Sequence, residues 1–278
     1  MIILAHDGSL YGEWVARYAI RFAAFEADRK LITLHVQDGK TSRDIVDARI
    51  KRLELDCQKL GLIFDCEYLS PGQDVYRSLR QAIPHDPDAL LVCGTRVKPR
   101  HQALLSGSVA EKLLRTHQCP VLALRVVQPG LLGAPATLFL PLAGHALGMA
   151  RFWPVFSRLV PHLKTVYLFR ALNIHYLRYP HLSRSRERSL RDSGLRHLDQ
   201  VVLELQEKIP QQSFTLNRRV VISSDWSNEV LTQASRIKAQ MILLGVSERN
   251  QVHRMFHGVG LERVLQKAPC DVGVYRGP

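Results

Sequence analysis

The sequence predicts two related α/β domains, each built on a parallel sheet, within one chain of 278 residues. Three observations carry this expectation. Short, continuous apolar runs alternate with longer helical patterns; the alternation occurs twice; and residues of the two halves recur at one fixed spacing. Length agrees, because domains of roughly 100–200 residues are the norm. With 46% hydrophobic and 23% charged residues, the chain can bury a core and does not read as disordered.

The first-half runs are 2–5, 31–36, 89–93 and 121–124, with a weaker one at 66–69. Apolar character that is continuous rather than alternating fits strands covered on both faces. Between the first two runs, Trp14, Val15, Tyr18, Ala19, Phe22 and Ala23 follow helical spacing. Strand and helix in alternation imply right-handed βαβ crossovers. The second half repeats the order with runs at 137–140, 165–169, 219–222, 241–244 and 272–275.

The register between halves is the stronger signal. Gly94 and Gly245, Gly107 and Gly258, Glu111 and Glu262, Cys119 and Cys270, and Arg125 and Arg276 all lie 151 positions apart. One gapless offset over that span reads as duplication. Nearer the N-termini, Asp7-Gly8 corresponds to Ala143-Gly144, 136 apart. The 15-residue difference places an insertion in the second copy, expected within 180–210, where the helix should be longer than its counterpart. The join is 127–135, short and rich in Pro and Gly, which should hold the copies close. The expected domains are therefore 1–126 and 136–278.

The apolar opening before His6 is too short for a signal peptide and no basic segment precedes it, so no leader is expected. From Val126 to Ala150 there is no Asp, Glu, Lys or Arg. Pro129, Pro135 and Pro141 with several glycines would leave backbone groups unpaired in lipid, so a linker and buried strand is expected there rather than a membrane span. The five cysteines form no C-x-x-C pair and read as buried apolar residues of a cytoplasmic protein. The net charge of +13 favours solubility and attraction to anions.

In an open doubly wound sheet, ligands bind beyond the carboxyl ends of the strands, where strand order reverses. Two segments suit that place: His6-Asp7-Gly8-Ser9 after the first strand, and Gly94 through Gly107-Ser108-Val109 after the fourth. A Gly-Ser opening a helix presents backbone N–H groups at the positive end of the helix dipole, which suits phosphate. The Asp7 carboxylate could accept from a ribose hydroxyl or an adenine amine.

Gly94, nine residues from Lys98 to Ser106, then Gly107-Ser108 resemble the G-x2-G-x9-G-(S/T) element of universal stress proteins, which also place an aspartate at the end of the first strand. The segments Val109-Ala110-Glu111-Lys112-Leu113-Leu114 and Cys119-Pro120-Val121-Leu122-Ala123-Leu124 are similar to that family's last helix and strand. The resemblance covers both copies. It implies two flavodoxin-like domains of strand order 3-2-1-4-5, their fifth strands meeting across a pseudo-two-fold axis as an intramolecular pseudo-dimer. It also implies ATP or another adenine nucleotide at the first copy, with Ala5, His6 and Val36 near the base and Asp7 on the ribose or adenine. Gly94, Arg96, Gly107, Ser108 and Val109 would take the phosphates, helped by Lys98, Arg100 and His101.

The family's middle glycine is Val97 here. A β-branched residue where positive φ is needed costs on the order of 1–3 kcal/mol. In the second copy Ala143, Glu248, Val259 and Arg170 are expected opposite Asp7, Val97, Ser108 and Val36, leaving that site vacant. His253 and His257 lack a third ligand and read as surface histidines, so no metal is expected. The arginine-rich segment 178–197 lacks aromatic partners for nucleic acid and reads as a solvated helix start. No activated nucleophile, P-loop lysine or G-x-S-x-G elbow is present, so an enzyme is not expected. The expected function is a stress-associated regulatory protein that binds ATP or another adenine nucleotide in its first domain, with a protein partner and a homodimer as further possibilities. The alternative is a ligand-free interaction module.

Overall fold

The computed structural model describes residues 1–95, 105, 107–115, 118–143, 149–150, 152–174, 183–246 and 259–277. In the first half, strands β1 (Ile2–Ala5), β2 (Lys30–Val36), β3 (Ile63–Leu69), β4 (Leu90–Gly94) and β5 (Val121–Arg125) alternate with helices α1 (Leu10–Ala24), α2 (Arg43–Lys59), α3 (Val75–Ala82) and α4 (Val109–Leu114). The second half runs β6 (Thr137–Pro141), α5 (Trp153–Leu159), β7 (Thr165–Asn173), α6 (Arg184–Lys208), β8 (Thr215–Ser223), α7 (Trp226–Arg236), β9 (Met241–Gly245), α8 (Val259–Lys267) and β10 (Asp271–Arg276).

All ten strands form one sheet in the order β3-β2-β1-β4-β5-β10-β9-β6-β7-β8. Each half thus contributes the order 3-2-1-4-5 with parallel neighbours, and only β5 and β10 pair antiparallel. At that seam Ala123 faces Val274, residues 151 apart. The duplication offset and the pseudo-two-fold axis therefore coincide.

The continuous apolar runs are explained by burial on both faces. Ile2 and Leu4 face one core, which takes in side chains of α1, α2, α5 and α6. Ile3 faces the other, which takes in those of α3, α4, α7 and α8. The uncharged stretch after Val126 forms a 3-10 turn at Pro129–Leu131 followed by buried β6. Among the described residues, no helix is long and apolar enough to cross a membrane.

The connector is locked to both halves. Gly133 has φ of +75°, and a Cβ there would lie 2.7 Å from the backbone of Arg17 and Tyr18 in α1. Buried Asp271 of β10 accepts from the Val127 and Gln128 amides at 2.7 and 2.8 Å. It also accepts from the Tyr18 hydroxyl at 2.6 Å. Arg158 of α5 reaches Glu26 at 2.8 Å across the same junction.

The inserted residues fall between β7 and β8, where α6 has 25 residues against 17 in α2. Pairing register corrects one expected correspondence. Ala5 pairs with Leu34 and Pro141 with Phe169, and the His6 N to Leu34 O bond is matched by Leu142 N to Phe169 O. Arg170 therefore stands opposite His35, and Ala171 opposite Val36. The offset is 136 between β1 and β6 and 135 between β2 and β7, whereas Arg170 opposite Val36 requires 134.

Candidate functional site

The crevice between the carboxyl ends of β1 and β4 is the switch point of the first half, because β2 lies on one side of β1 and β4 on the other. Chain leaving β1 makes one further sheet bond, His6 N to Leu34 O at 2.9 Å, and then turns at Gly8, whose φ is +75°. Asp7 is exposed at this turn. Its Oδ1 accepts from Ser9 N at 2.9 Å and from Ser9 Oγ at 2.6 Å. Ser9 Oγ accepts from Gly12 N at 3.0 Å as the α1 N-cap.

Gly12 was not singled out from the sequence. A Cβ at this position would sit 2.6 Å from Asp7 Oδ1 and 3.0 Å from His6 Nε2, so glycine lets the carboxylate lie over the first turn of α1. The signal available was a glycine in the first turn of an otherwise amphipathic helix, where alanine would be preferred by propensity.

His6 is buried beneath the turn. Its Nδ1 accepts from Gly8 N at 3.0 Å, which leaves the proton of the neutral ring on Nε2, a buried atom with no partner among the described residues. Burial lowers the His6 pKa to about 4; Asp7 pulls it up, while His35 and Arg49 push it further down. His6 is neutral at pH 7. His35 Nδ1 lies 2.9 Å from the His6 carbonyl, an oxygen that can only accept, so this ring nitrogen donates. The His35 ring stands edge-on to Tyr68, with centroids 5.9 Å apart.

Arg49 and Glu13 are further residues that sequence reasoning did not name. Arg49 donates to the Gly8 carbonyl and pairs with buried Glu13 at 3.2 Å. This strut ties α2 to the β1–α1 turn and places a guanidinium behind it.

On the β4 side, Gly94 is half-buried. A Cβ there would lie 3.1 Å from Tyr11 Cε1 and 3.2 Å from Val15 Cγ2. Tyr11 hydroxyl donates to Leu124 O at 3.2 Å and accepts from Val126 N at 2.9 Å, so its ring spans the ends of β4 and β5. Gly245 plays the same part for Phe152, whose ring a Cβ would meet at 2.5 Å. The recurring glycine thus gives room to an aromatic ring in both halves.

Gly107 is exposed with φ of +66°. Its amide donates to Glu111 Oε2 at 2.5 Å. Ser108 Oγ accepts from Glu111 N at 3.0 Å, and Ser108 itself is buried. Glu111 Oε1 accepts from Arg115 at 2.7 Å. This is a capping arrangement that engages the Gly107 and Glu111 amides at the α4 N-terminus from within the chain. Leu105 N donates to Glu262 Oε1 of α8 at 3.0 Å, a bond from the second half to the first.

Ala5, His6, Asp7 and Val36 thus gather at the β1–β2 end, with Gly94 at the end of β4 and Gly107, Ser108 and Val109 opening α4. Arg96, Val97, Lys98, Arg100 and His101 lie outside the described residues, as do Glu248, His253 and His257. In the second half, Ala143 and Val259 are exposed and offer neither a carboxylate nor a capping hydroxyl. Among the described residues, no cluster of three metal-ligating side chains occurs. All five cysteines are free thiols; burial pushes Cys57 and Cys93 up to about 12, which suppresses thiolate chemistry.

Residues 170–276 match the universal stress protein family model. That is the greater part of the second half. A universal stress protein from Archaeoglobus fulgidus DSM 4304 is 15% identical, with 98% of this chain and 95% of that one covered and a TM-score of 0.59. A putative universal stress protein from Pseudomonas aeruginosa UCBPP-PA14 is 14% identical, covering 99% and 92%, with a TM-score of 0.61. The cytoplasmic domain of a prokaryotic cation chloride cotransporter is 9% identical over 99% and 95%, with a TM-score of 0.57. At these identities the likeness shows the fold, a duplicated universal-stress-protein-like sheet, and the breadth of proteins sharing it means function rests on the site. No curated protein matches the chain.

Proposed function

We propose that this protein is a non-catalytic regulatory module of the cytoplasm whose first domain, 1–126, binds ATP or another adenine nucleotide, while the second, 136–278, serves as scaffold. One observation carries the reading: an exposed carboxylate, Asp7, is held at a switch point by bonds that, among the described residues, reach Oδ1 alone and leave Oδ2 for a ribose hydroxyl or an adenine amine. The apolar Val36 and the neutral His6 ring lie beneath the same end of the sheet, which suits a base. Net charge of +13 favours an anionic ligand. Calorimetry with ATP, ADP and AMP tests it: heat is expected with wild type, and Asp7→Ala should weaken binding by about tenfold or more, the loss of roughly one charge-assisted hydrogen bond. Absence of heat with all three nucleotides would refute the reading.

A second reading is favoured by the α4 N-terminus. Glu111 takes the Gly107 amide, and the Ser108 hydroxyl oxygen is buried and accepts from Glu111 N, so one family phosphate donor is already engaged and the other is enclosed. On this reading the chain is a ligand-free interaction module. Mass spectrometry of protein denatured directly after purification separates the two, since a released adenine nucleotide supports the first.

A further inference from the structure

The chain that joins β4 to α4 is fixed at two points, one supplied by each half of the protein. At its start, the buried Thr95 donates its amide to Leu124 O of β5 at 2.8 Å. Near its end, the buried Leu105 donates its amide to Glu262 Oε1 of α8 at 3.0 Å. The Leu105 carbonyl in turn accepts from Ser108 N at 3.0 Å. Glu262 is therefore joined, through the backbone of one residue, to the amide of the serine that caps α4. Gly107, with φ of +66°, makes its turn between these two bonded residues. The Leu105 side chain belongs to the core cluster that takes in Leu113 and Leu114 of α4 and Leu261 and Val264 of α8, where side chains of both halves meet.

The counterpart of Glu262 at the 151-residue offset behaves differently. Glu111 gives Oε2 to Gly107 N and Oε1 to Arg115, so among the described residues its carboxylate bonds within its own half. Phe256, the counterpart of Leu105, lies outside the described residues. Pairing of β5 with β10 and the bonds to Asp271 already join the two halves, so they stay joined without Glu262.

We propose that the second half is a control element for the first: Glu262 is a positioning residue that fixes Leu105, and with it the Gly107-Ser108 turn, in the arrangement that receives a ligand. Its acceptor is a carboxylate, the stronger class of hydrogen-bond partner, and it is half-buried. On the reading that the first domain binds an adenine nucleotide, on which the effect on affinity rests, order supplied in advance lowers the cost of ordering the turn at binding. The coupling is reciprocal, so a nucleotide that tightens the turn also tightens its hold on α8.

The test compares the full chain as wild type, Glu262→Ala and Glu262→Gln. Glutamine keeps an oxygen that accepts from Leu105, and alanine removes it. In ligand-free protein, amide exchange followed by NMR should quicken about tenfold or more at Leu105 and Ser108 in the alanine variant. The glutamine variant should show a smaller rise, and exchange at Val272 and Val274 of β10 should not change in either. Calorimetry with ATP, ADP and AMP should show binding weakened about fivefold or more by alanine, with glutamine in between. Unchanged exchange at Leu105 and Ser108 overturns the proposal, as does an equal rise in β10, which would mark a general loosening of the fold. Nucleotide affinity that is the same in wild type and alanine variant overturns it too, as does a glutamine variant no better than alanine. A wild type that takes none of the three nucleotides refutes the nucleotide reading alone, and the exchange rates then decide whether Glu262 positions the turn.

Discussion

The buried histidine at the β1–α1 turn sets a pH dependence of stability that can be worked out. His6 moves from an ordinary pKa of 6.5 to about 4 on folding, chiefly because burial disfavours its cation. The unfolded chain therefore binds a proton between these values that the folded chain refuses. Stability attributable to His6 is complete above pH 6.5 and falls as pH drops towards 4, the sign expected when the unfolded state holds more protons. A shift of this size corresponds to about 3 kcal/mol in full, of which about 2 kcal/mol is lost between roughly pH 7.5 and pH 5. With a urea m-value of about 3 kcal/mol/M for a chain of this length, the midpoint should fall by about 0.7 M from this residue alone. Other groups titrate over the same range, so the decisive quantity is the difference between wild type and His6→Asn. Asparagine keeps an acceptor for the Gly8 amide but has no proton to bind. Urea unfolding of both proteins at the two pH values should show the wild type losing about 2 kcal/mol more than the variant. Equal losses would refute the reasoning, for they would mean that His6 is charged in the folded state or reaches water.

Two other substitutions test the junction and the turn. Asp271→Ala leaves Tyr18 hydroxyl and the Val127 and Gln128 amides without their acceptor, so thermal unfolding should show a loss of about 3–5 kcal/mol. Asp271→Asn keeps an acceptor for the two amides and should lose about 1 kcal/mol; equal effects would show that the acceptor is unimportant. Gly12→Ala pits helix propensity, about 1 kcal/mol in favour of alanine, against a Cβ 2.6 Å from Asp7 Oδ1. The clash should win, with net destabilisation of about 1–3 kcal/mol by urea unfolding, and a stabilised variant would mean that the carboxylate swings away freely.

The fold was legible where sequence pattern reflects burial on two faces. Runs such as Ile2–Ala5 and 241–244 are apolar because helices cover both sides of a central strand, and the 151-residue offset marks β4, β5, β9 and β10, whose connections kept their length. At the rim the pattern weakened. Only 66–69 was expected of β3, which spans Ile63–Leu69, because an edge strand alternates polar residues and has no continuous run. The site was legible as positions but not as contacts. Asp7 and Gly107 could be placed at strand and helix ends by order alone. That Gly94 accommodates Tyr11, that Gly12 makes space for Asp7, and that Arg49 braces Gly8 depend on neighbours far away in the chain, and no local periodicity encodes them.

The duplicated glutamate shows how two copies of one plan can diverge without losing the fold. Glu111 and Glu262 are 151 positions apart and occupy the same place in α4 and α8. Glu111 turns back onto Gly107 and closes its own helix. Glu262 Oε1 accepts from Leu105 of the first half, because the antiparallel β5–β10 seam brings α8 alongside the segment that precedes α4. A carboxylate in the second half thus holds the chain leading into the first half's candidate phosphate element. The serine that caps α4 is matched by exposed Val259 in α8, so that terminus has no hydroxyl oxygen to accept from the Glu262 backbone amide as Ser108 Oγ accepts from that of Glu111. The same side chain thus holds its own helix turn in the first half and, in the second, reaches across the seam to the other half.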